Sequence, residues 1–296
     1  MSHVRIATRA SRLALWQADH VAGMLHALGH TTERVEVLSE GDKSDAPLGS
    51  IGTVGIFTKA VQDAVLAGDA DLAVHSYKDL PSAPTDGLHV AAVPTRADAR
   101  DAIVAPAGVI VKTETGLPLA EGVRVGTGAA RRRAQLAQLR PDVQAVPMRG
   151  NLDTRLRKLR EGQADALLLA MAGLERLKPD LADLRVVPLE PDVFMPAPAQ
   201  GALALEIRRS DDELDRILSD LHDVPGHPAV AAERGLMAML EGGCQLELGA
   251  HARKQDGRVH LAAWYRGRHA KAHERNAEEA AMRVFQILHT SEGDAA

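Results

Sequence analysis

The sequence predicts an α/β protein of more than one domain, on three observations. Strand-like and helix-like segments alternate through the first third, the same order restarts near residue 101, and from about residue 211 helices give way to strands. At 296 residues, 45% of them hydrophobic, the chain is too long for one ordinary core and suits two or three domains.

Taken in order, residues 4–7 read as a buried strand and residues 11–28 as a helix, with Leu13, Trp16, His20 or Val21, Met24 and Leu28 on one stripe and Gly29 beyond its end. Residues 33–38 alternate as a strand, 57–66 form a helix and 71–74 a short strand, which completes βαβαβ. The second round places strands at 101–105 and 123–125, a helix at 129–139, a strand at 143–147, a helix at 151–161 and a strand at 165–170. Pro188, Pro191, Pro196 and Pro198 mark a crossing segment, and 202–207 reads as a buried strand. Helices at 212–221 and 228–240, strands at 246–250 and 259–265 and a last helix ending near Leu288 form a further domain, and the C-terminal tail frays.

Composition removes several function classes. Forty acidic against thirty-five basic residues give a formal charge of −5, which argues against non-specific attraction to nucleic acid or anionic membrane. Aromatic residues are 2% of the chain, so stacking platforms for bases are scarce. The longest apolar runs, such as 166–172, fall far short of a membrane span, and the N-terminus has no apolar signal core. A cytoplasmic location is expected. Cys244 is the single cysteine, so no internal disulfide is possible and packing or reactivity remains.

Four constellations could carry chemistry. Thr8-Arg9 and Thr127-Gly128 each follow a strand and precede a helix, where free amides favour an anion. Arg131, Arg132 and Arg133 open a helix where the macrodipole disfavours cations, and Arg149 and Arg155 bracket the start of the next one. Guanidinium forks grip carboxylates, so arginines from several turns suit a polycarboxylate; a solvated basic helix face is the plainer alternative. Lys78 and Asp79, in His75-Ser76-Tyr77-Lys78-Asp79-Leu80-Pro81, lie at a strand's C-terminal end, where α/β sheets hold ligands, or else close a loop as a surface pair. Glu241-Gly242-Gly243-Cys244-Gln245 gives the thiol an open approach, although a buried, inert cysteine fits the same residues. His269 and His273 have helical i, i+4 spacing but no third ligand, so no metal site is expected.

These segments together resemble the hydroxymethylbilane synthase (porphobilinogen deaminase) family over nearly the whole chain. The matching motifs, in order, are 5–9, 13–18, His75 to Pro81, Arg149-Gly150-Asn151 with Thr154-Arg155, Gln200-Gly201-Ala202, Ala232-Glu233-Arg234 and 240–245. The resemblance implies three domains. Residues 1–98 with 196–212, and residues 99–195, would form two lobes like type II periplasmic-binding proteins, and 213–296 a small α/β domain carrying the cofactor cysteine. It implies a cytoplasmic, monomeric transferase that joins four porphobilinogen molecules head to tail, releasing ammonia, into hydroxymethylbilane. A dipyrromethane primer would be thioether-linked to Cys244.

Residue by residue, the resemblance assigns catalysis to Asp79, Arg9, Arg149 and Arg155. Cofactor binding falls to Cys244, Ser76, Lys78, Asp79, Thr127, Arg131, Arg132 and Arg155, and substrate binding to Arg9, Ser11, Gln17, Arg149, Arg155 and Gln200. Porphobilinogen is then the partner, with no nucleic acid, membrane or metal. A non-catalytic polycarboxylate or pyrrole binder of the same fold is the alternative. The chain departs from the family where two serines become Gly128 and Ala129, where Gly-Lys-Gly-Leu-Phe becomes 53–57, and where Lys-Glu-Leu-Glu becomes Lys59-Ala60-Val61-Gln62. The second of these bears on the lid role implied for the loop near 40–57.

Overall fold

Alternating burial begins at β1 (His3–Arg9), which sinks Val4, Ile6, Ala7 and Thr8. The computed structural model describes residues 1–37, 56–240 and 246–290. Helix α1 (Arg12–Ala27) starts at Ser11, whose hydroxyl accepts the Ala14 amide at 3.3 Å, the usual side-chain cap for an orphan N–H. Its buried face is Gln17, Ala18, Val21 and Leu25, a rotation away from the expected stripe. Leu28 lies past the helix end and is 42% exposed, while small Ala18 lets the helix approach the sheet.

The chain forms two compact units, Met1–Arg96 with Ala202–His227, and Ala97–Gly201 with Pro228–Ala296. In the first, β1, β2 (Thr31–Val37), β3 (Leu72–Ser76), β4 (Leu88–Ala92) and β10 (Leu203–Arg208) form a sheet in the order β2-β1-β3-β10-β4. β1 runs parallel to β2 and β3, and β10 antiparallel to β3 and β4. Helix α1 covers one face with Val4, Ile6, Leu72, Val74, Leu203 and Leu205 beneath it. Helix α2 (Ile56–Leu66) covers the other through Val61 and Val65, packed on Ala7 and Ala73. Residues 211–227 belong here as well, because α6 (Asp212–Ser219) buries Leu214 and Leu218 in the α1-side core.

In the second unit, β5 (Asp101–Ala105), β6 (Arg124–Thr127), β7 (Gln144–Pro147), β8 (Ala166–Ala170) and β9 (Arg185–Leu189) take the order β7-β6-β8-β5-β9. Both sheets therefore have one pattern, four strands running one way and a fifth, set between two of them, running antiparallel. Helices α3 (Ala130–Leu139), α4 (Leu152–Arg160) and the short α5 (Met171–Leu177) cover this sheet. The same unit carries an antiparallel meander, β11 (Leu248–Gln255), β12 (Arg258–Tyr265) and β13 (Arg268–Glu274), whose apolar face packs on α7 (His227–Met239) and α8 (Ala277–Thr290).

Among the described residues, four elements lie outside the sequence expectation: β4, α5, β9 and β13. The last corrects the reading of His269 and His273. They sit on a strand, not a helix, and His273 pairs in register with His260, their Nδ1 atoms 2.6 Å apart. No described helix is long and apolar enough to cross a membrane.

Candidate active site

In the first unit the expected residues gather at the C-terminal ends of β1 and β3, where parallel strands present their loops. Four buried residues, Leu72 to His75, carry β3 to Ser76, and Tyr77–Asp79 then forms one 3-10 turn. The Tyr77 amide donates to the Ala202 carbonyl at 3.0 Å, tying the turn to the head of β10. Gln17, buried on α1, donates its side-chain amide to the Ser76 hydroxyl at 2.7 Å. Two residues expected to bind ligand thus brace one another beneath the turn. Lys78 is half-buried and Asp79 exposed, so the carboxylate stands above a rigid base. Arg9 closes β1 half-buried, and Ser11 serves as the cap of α1.

In the second unit Thr127, 1% exposed, ends β6, and its hydroxyl accepts the Ala129 amide at 3.3 Å. A side chain at Gly128 would put its Cβ 3.1 Å from the Met148 carbonyl oxygen, so glycine at the departure from the family's serines suits the local packing. Arg131 and Arg132 do not lie on a solvated helix face. They are 4% and 6% exposed, and both grip Asp101, the buried first residue of β5. Arg131 Nη2 reaches one carboxylate oxygen at 2.7 Å, and Arg132 Nε and Nη2 reach the other. Arg131 also donates to the Met195 carbonyl, and Arg132 to the Leu168 carbonyl at 2.9 Å. Gln200 completes the group, donating to Asp101 at 3.0 Å and to the Ala99 carbonyl at 2.8 Å.

The electrostatics of this cluster follow from its count. Burial pushes the Asp101 carboxyl up, but the two guanidiniums outweigh it and hold the group well below the usual carboxylate range. Burial lowers Arg131, with Asp101 opposing that shift. Among the described residues, Asp101 is the carboxylate paired with both arginines, so two cations share one anion away from water. A positive charge is left over there. Arg133 is exposed and donates to the Gly128 carbonyl at 3.1 Å, which fits the plainer solvated reading for that residue.

Arg149 is exposed at the turn before α4, and Arg155 lies on its first turn. Asn151 caps the helix through the Thr154 amide at 2.9 Å, and Arg155 Nε donates to the Gly150 carbonyl at 2.8 Å. Gly150 has φ of +107°, which a side chain there would strain. The turn therefore keeps the two arginines in fixed register. Cys244 and its loop, and the departure at 53–55, lie outside the described residues. Among the described residues, no group of three or more His, Cys, Asp or Glu could hold a metal.

Family models match nearly the whole chain. "Porphobilinogen deaminase, dipyromethane cofactor binding domain" matches residues 4–216, and "Porphobilinogen deaminase, C-terminal domain" matches residues 228–283. The chain belongs to the porphobilinogen deaminase family. A porphobilinogen deaminase of Syntrophobacter fumaroxidans is 46% identical over 263 residues, 88% of this chain and 82% of that protein. One of Mycobacterium bovis is 48% identical over 261 residues, covering 86% and 82%. Among solved structures, the periplasmic VFT2 domain of Bordetella pertussis BvgS aligns with 78% of this chain and 92% of its own, at 16% identity and a TM-score of 0.46.

The family's cofactor domain takes a dipyrromethane, and the residues present fit such a group. A carboxylate-bearing ligand would balance the positive charge that Arg131 and Arg132 retain beyond Asp101. Asp101, the carboxylate that holds both arginines, is the residue that motif reading missed. Its signal was a lone acid heading the otherwise apolar run 101–105, some 30 residues before the arginines it holds.

Proposed function

We propose that the protein is a transferase, a hydroxymethylbilane synthase that joins four porphobilinogen molecules head to tail and releases ammonia at each step. The observation that carries this reading is the chain-long match, 46% to 48% identity to named porphobilinogen deaminases over 86% to 88% of the chain. In the same reading the enzyme is cytoplasmic and monomeric.

Each condensation breaks the C–N bond of the aminomethyl arm and forms a C–C bond to the free α-carbon of a pyrrole, which then loses its proton. When bound, the dipyrromethane supplies the pyrrole carbon from which the chain is extended. Cys244 would anchor it as a thioether, and Lys78, Ser76, Thr127, Arg131, Arg132 and Arg155 would hold its side arms. Asp79, on its braced turn, would face the pyrrole N–H groups, stabilise positive charge as ammonia leaves and help move the proton. Arg9, Arg149 and Arg155 would orient the acetate and propionate of incoming porphobilinogen, with Ser11, Gln17 and Gln200 supporting them. Every added ring brings two carboxylates, which is a chemical reason for so many arginines.

Intact-protein mass tests the anchor. The purified protein should exceed its sequence mass by one dipyrromethane, and Cys244→Ser should not. An unmodified but fully active parent would overturn the covalent claim. Porphobilinogen consumption should collapse in Asp79→Asn; binding of porphobilinogen without consumption by the parent would favour the non-catalytic binder.

A further inference from the structure

Beneath the Asp79 turn lies a buried polar group to which the reading above gives no part. His75, the residue before Ser76, points to the α2 face of its sheet, opposite to the side on which Ser76 meets Gln17. There its Nε2 lies 3.1 Å from Oε2 of Glu206 on β10, with the side chains 4% and 5% exposed. The approach is close but out of line for a hydrogen bond, so the ring and the carboxylate meet as a buried polar contact. Gln62 of α2 donates its side-chain amide to the same carboxylate, at 2.9 Å and 3.2 Å to its two oxygens. Three elements, β3, β10 and α2, thus meet at one carboxylate.

An ionised carboxylate at this depth needs a cation or a proton. Its neighbours in register on β3 and β4 are Ala73 and Val90, both apolar. Arg208, next on the same strand face, is committed to the carbonyls of Val65 and Ala70 at 2.7 Å and to Asp71 and Asp211 at 3.3 Å. Lys59 and Asp63, on the solvent side of α2, pair with each other at 2.9 Å. Among the described residues, the groups that face Glu206 are therefore an imidazole and a neutral amide.

We propose that Glu206, held by Gln62 and paired with His75, is a positioning residue that fixes the end of β3 and through it the Asp79 turn. The brace works from both faces of the sheet: Gln17 on Ser76 from the α1 side, Glu206 on His75 from the α2 side. The Tyr77–Ala202 hydrogen bond then locks the turn to the same strand that carries Glu206. Gln62 replaces the acid of the family's Lys-Glu-Leu-Glu motif.

This inference rests on the reading of Asp79 above, and its test separates the two. In the holoenzyme, Glu206→Gln should speed amide exchange of residues 76–80, measured by mass spectrometry, and lower kcat about tenfold. KM for porphobilinogen should stay within about twofold, since the arginines are untouched. Gln62→Glu combined with Glu206→Gln returns one acid and one amide to the contact with their places exchanged, and should restore both exchange and kcat. Asp79→Asn, as the control, should abolish turnover with exchange at 76–80 unchanged. Parent-like exchange and kcat in Glu206→Gln, or a double variant no better than the single, would overturn the proposal. If Glu206→Gln does not fold, His75→Gln, which removes the imidazole and keeps Glu206, serves for the same comparison. A parent that consumes no porphobilinogen would count against the functional reading, while the exchange data would still decide the brace.

Discussion

Asp101 shows how a single buried charge sets the geometry of two others. Its carboxylate faces Arg131 on one oxygen and Arg132 on the other, and Gln200 fills a remaining lone pair. Neutralising it would leave two guanidiniums facing each other without an anion, the costly way to break a buried ion pair. Asp101→Asn should therefore lose about 3–5 kcal/mol of stability near neutral pH in urea unfolding. Purified Asp101→Asn should also carry less dipyrromethane by intact mass, because the arginines lose their shared fixed point. Unchanged stability with full cofactor loading would show that the arginines are held by Met195 and Leu168 carbonyls alone. The sequence displays Arg131 and Arg132 as a conspicuous cluster, yet nothing local marks their partner. Ion pairs across distant elements are set by sheet order, and β5 meets α3 only once that order is formed.

Helix α7 depends on one side chain in a comparable way. Glu233 is 0% exposed, and its two oxygens accept the amides of Ala252 on β11 and Ala199 in the crossing segment, each at 2.7 Å. Ala199 has φ of +58°, an unusual conformation for a residue with a side chain, and this hydrogen bond helps hold it. Glu233→Ala would orphan two buried amides at about 1–3 kcal/mol each, and a loss of roughly 2–5 kcal/mol in chemical denaturation is the expected result. Glu233→Gln, which keeps one acceptor, should lose less. Legibility in the sequence differs between elements for the same kind of reason. Runs such as Leu72 to His75 and Ala166 to Ala170 advertise strands buried on both faces. β13 does not, since Arg268–Glu274 turns only Ala270 and Ala272 to the core and alternates them with charged or histidine side chains. β4 is similarly muted, with His89 facing Asp215 of α6 at 2.9 Å. The buried face of α1 departs from the hydrophobic stripe because Gln17 is buried for its bond to Ser76, which hydrophobicity does not register. The turns at 75–79 and 149–155 are readable because glycine, cap residues and strand ends lie within a few residues of each other.

Across the molecule, acid should act on many sites in one direction. For Asp71, Asp98 and Asp101 burial raises the carboxyl, but arginine partners overcome it, and the folded pKa falls below the ordinary value. Asp142, Asp165 and Asp183 are lowered chiefly by hydrogen bonds from Arg140, Arg124 and Arg160. A carboxylate depressed by folding adds stability above its unfolded pKa, and that stability is lost as pH falls through the folded value. His227 is also lowered, by burial first and then by His222, whose ring centroid is 4.4 Å away. Its neutral form belongs to the fold, so its contribution is present above the ordinary value of 6.5 and declines as pH drops below it. The melting temperature should thus fall in two stages on acidification, a shallow one below about pH 6.5 and a steeper one below about pH 4. Calorimetry across that range checks both. His227→Asn should remove the shallow stage and leave the steep one, because the carboxylates and their arginines are spread over both units. A melting temperature that stays flat into the carboxylate range would mean that these arginine pairs contribute nothing to folding, surface and buried alike.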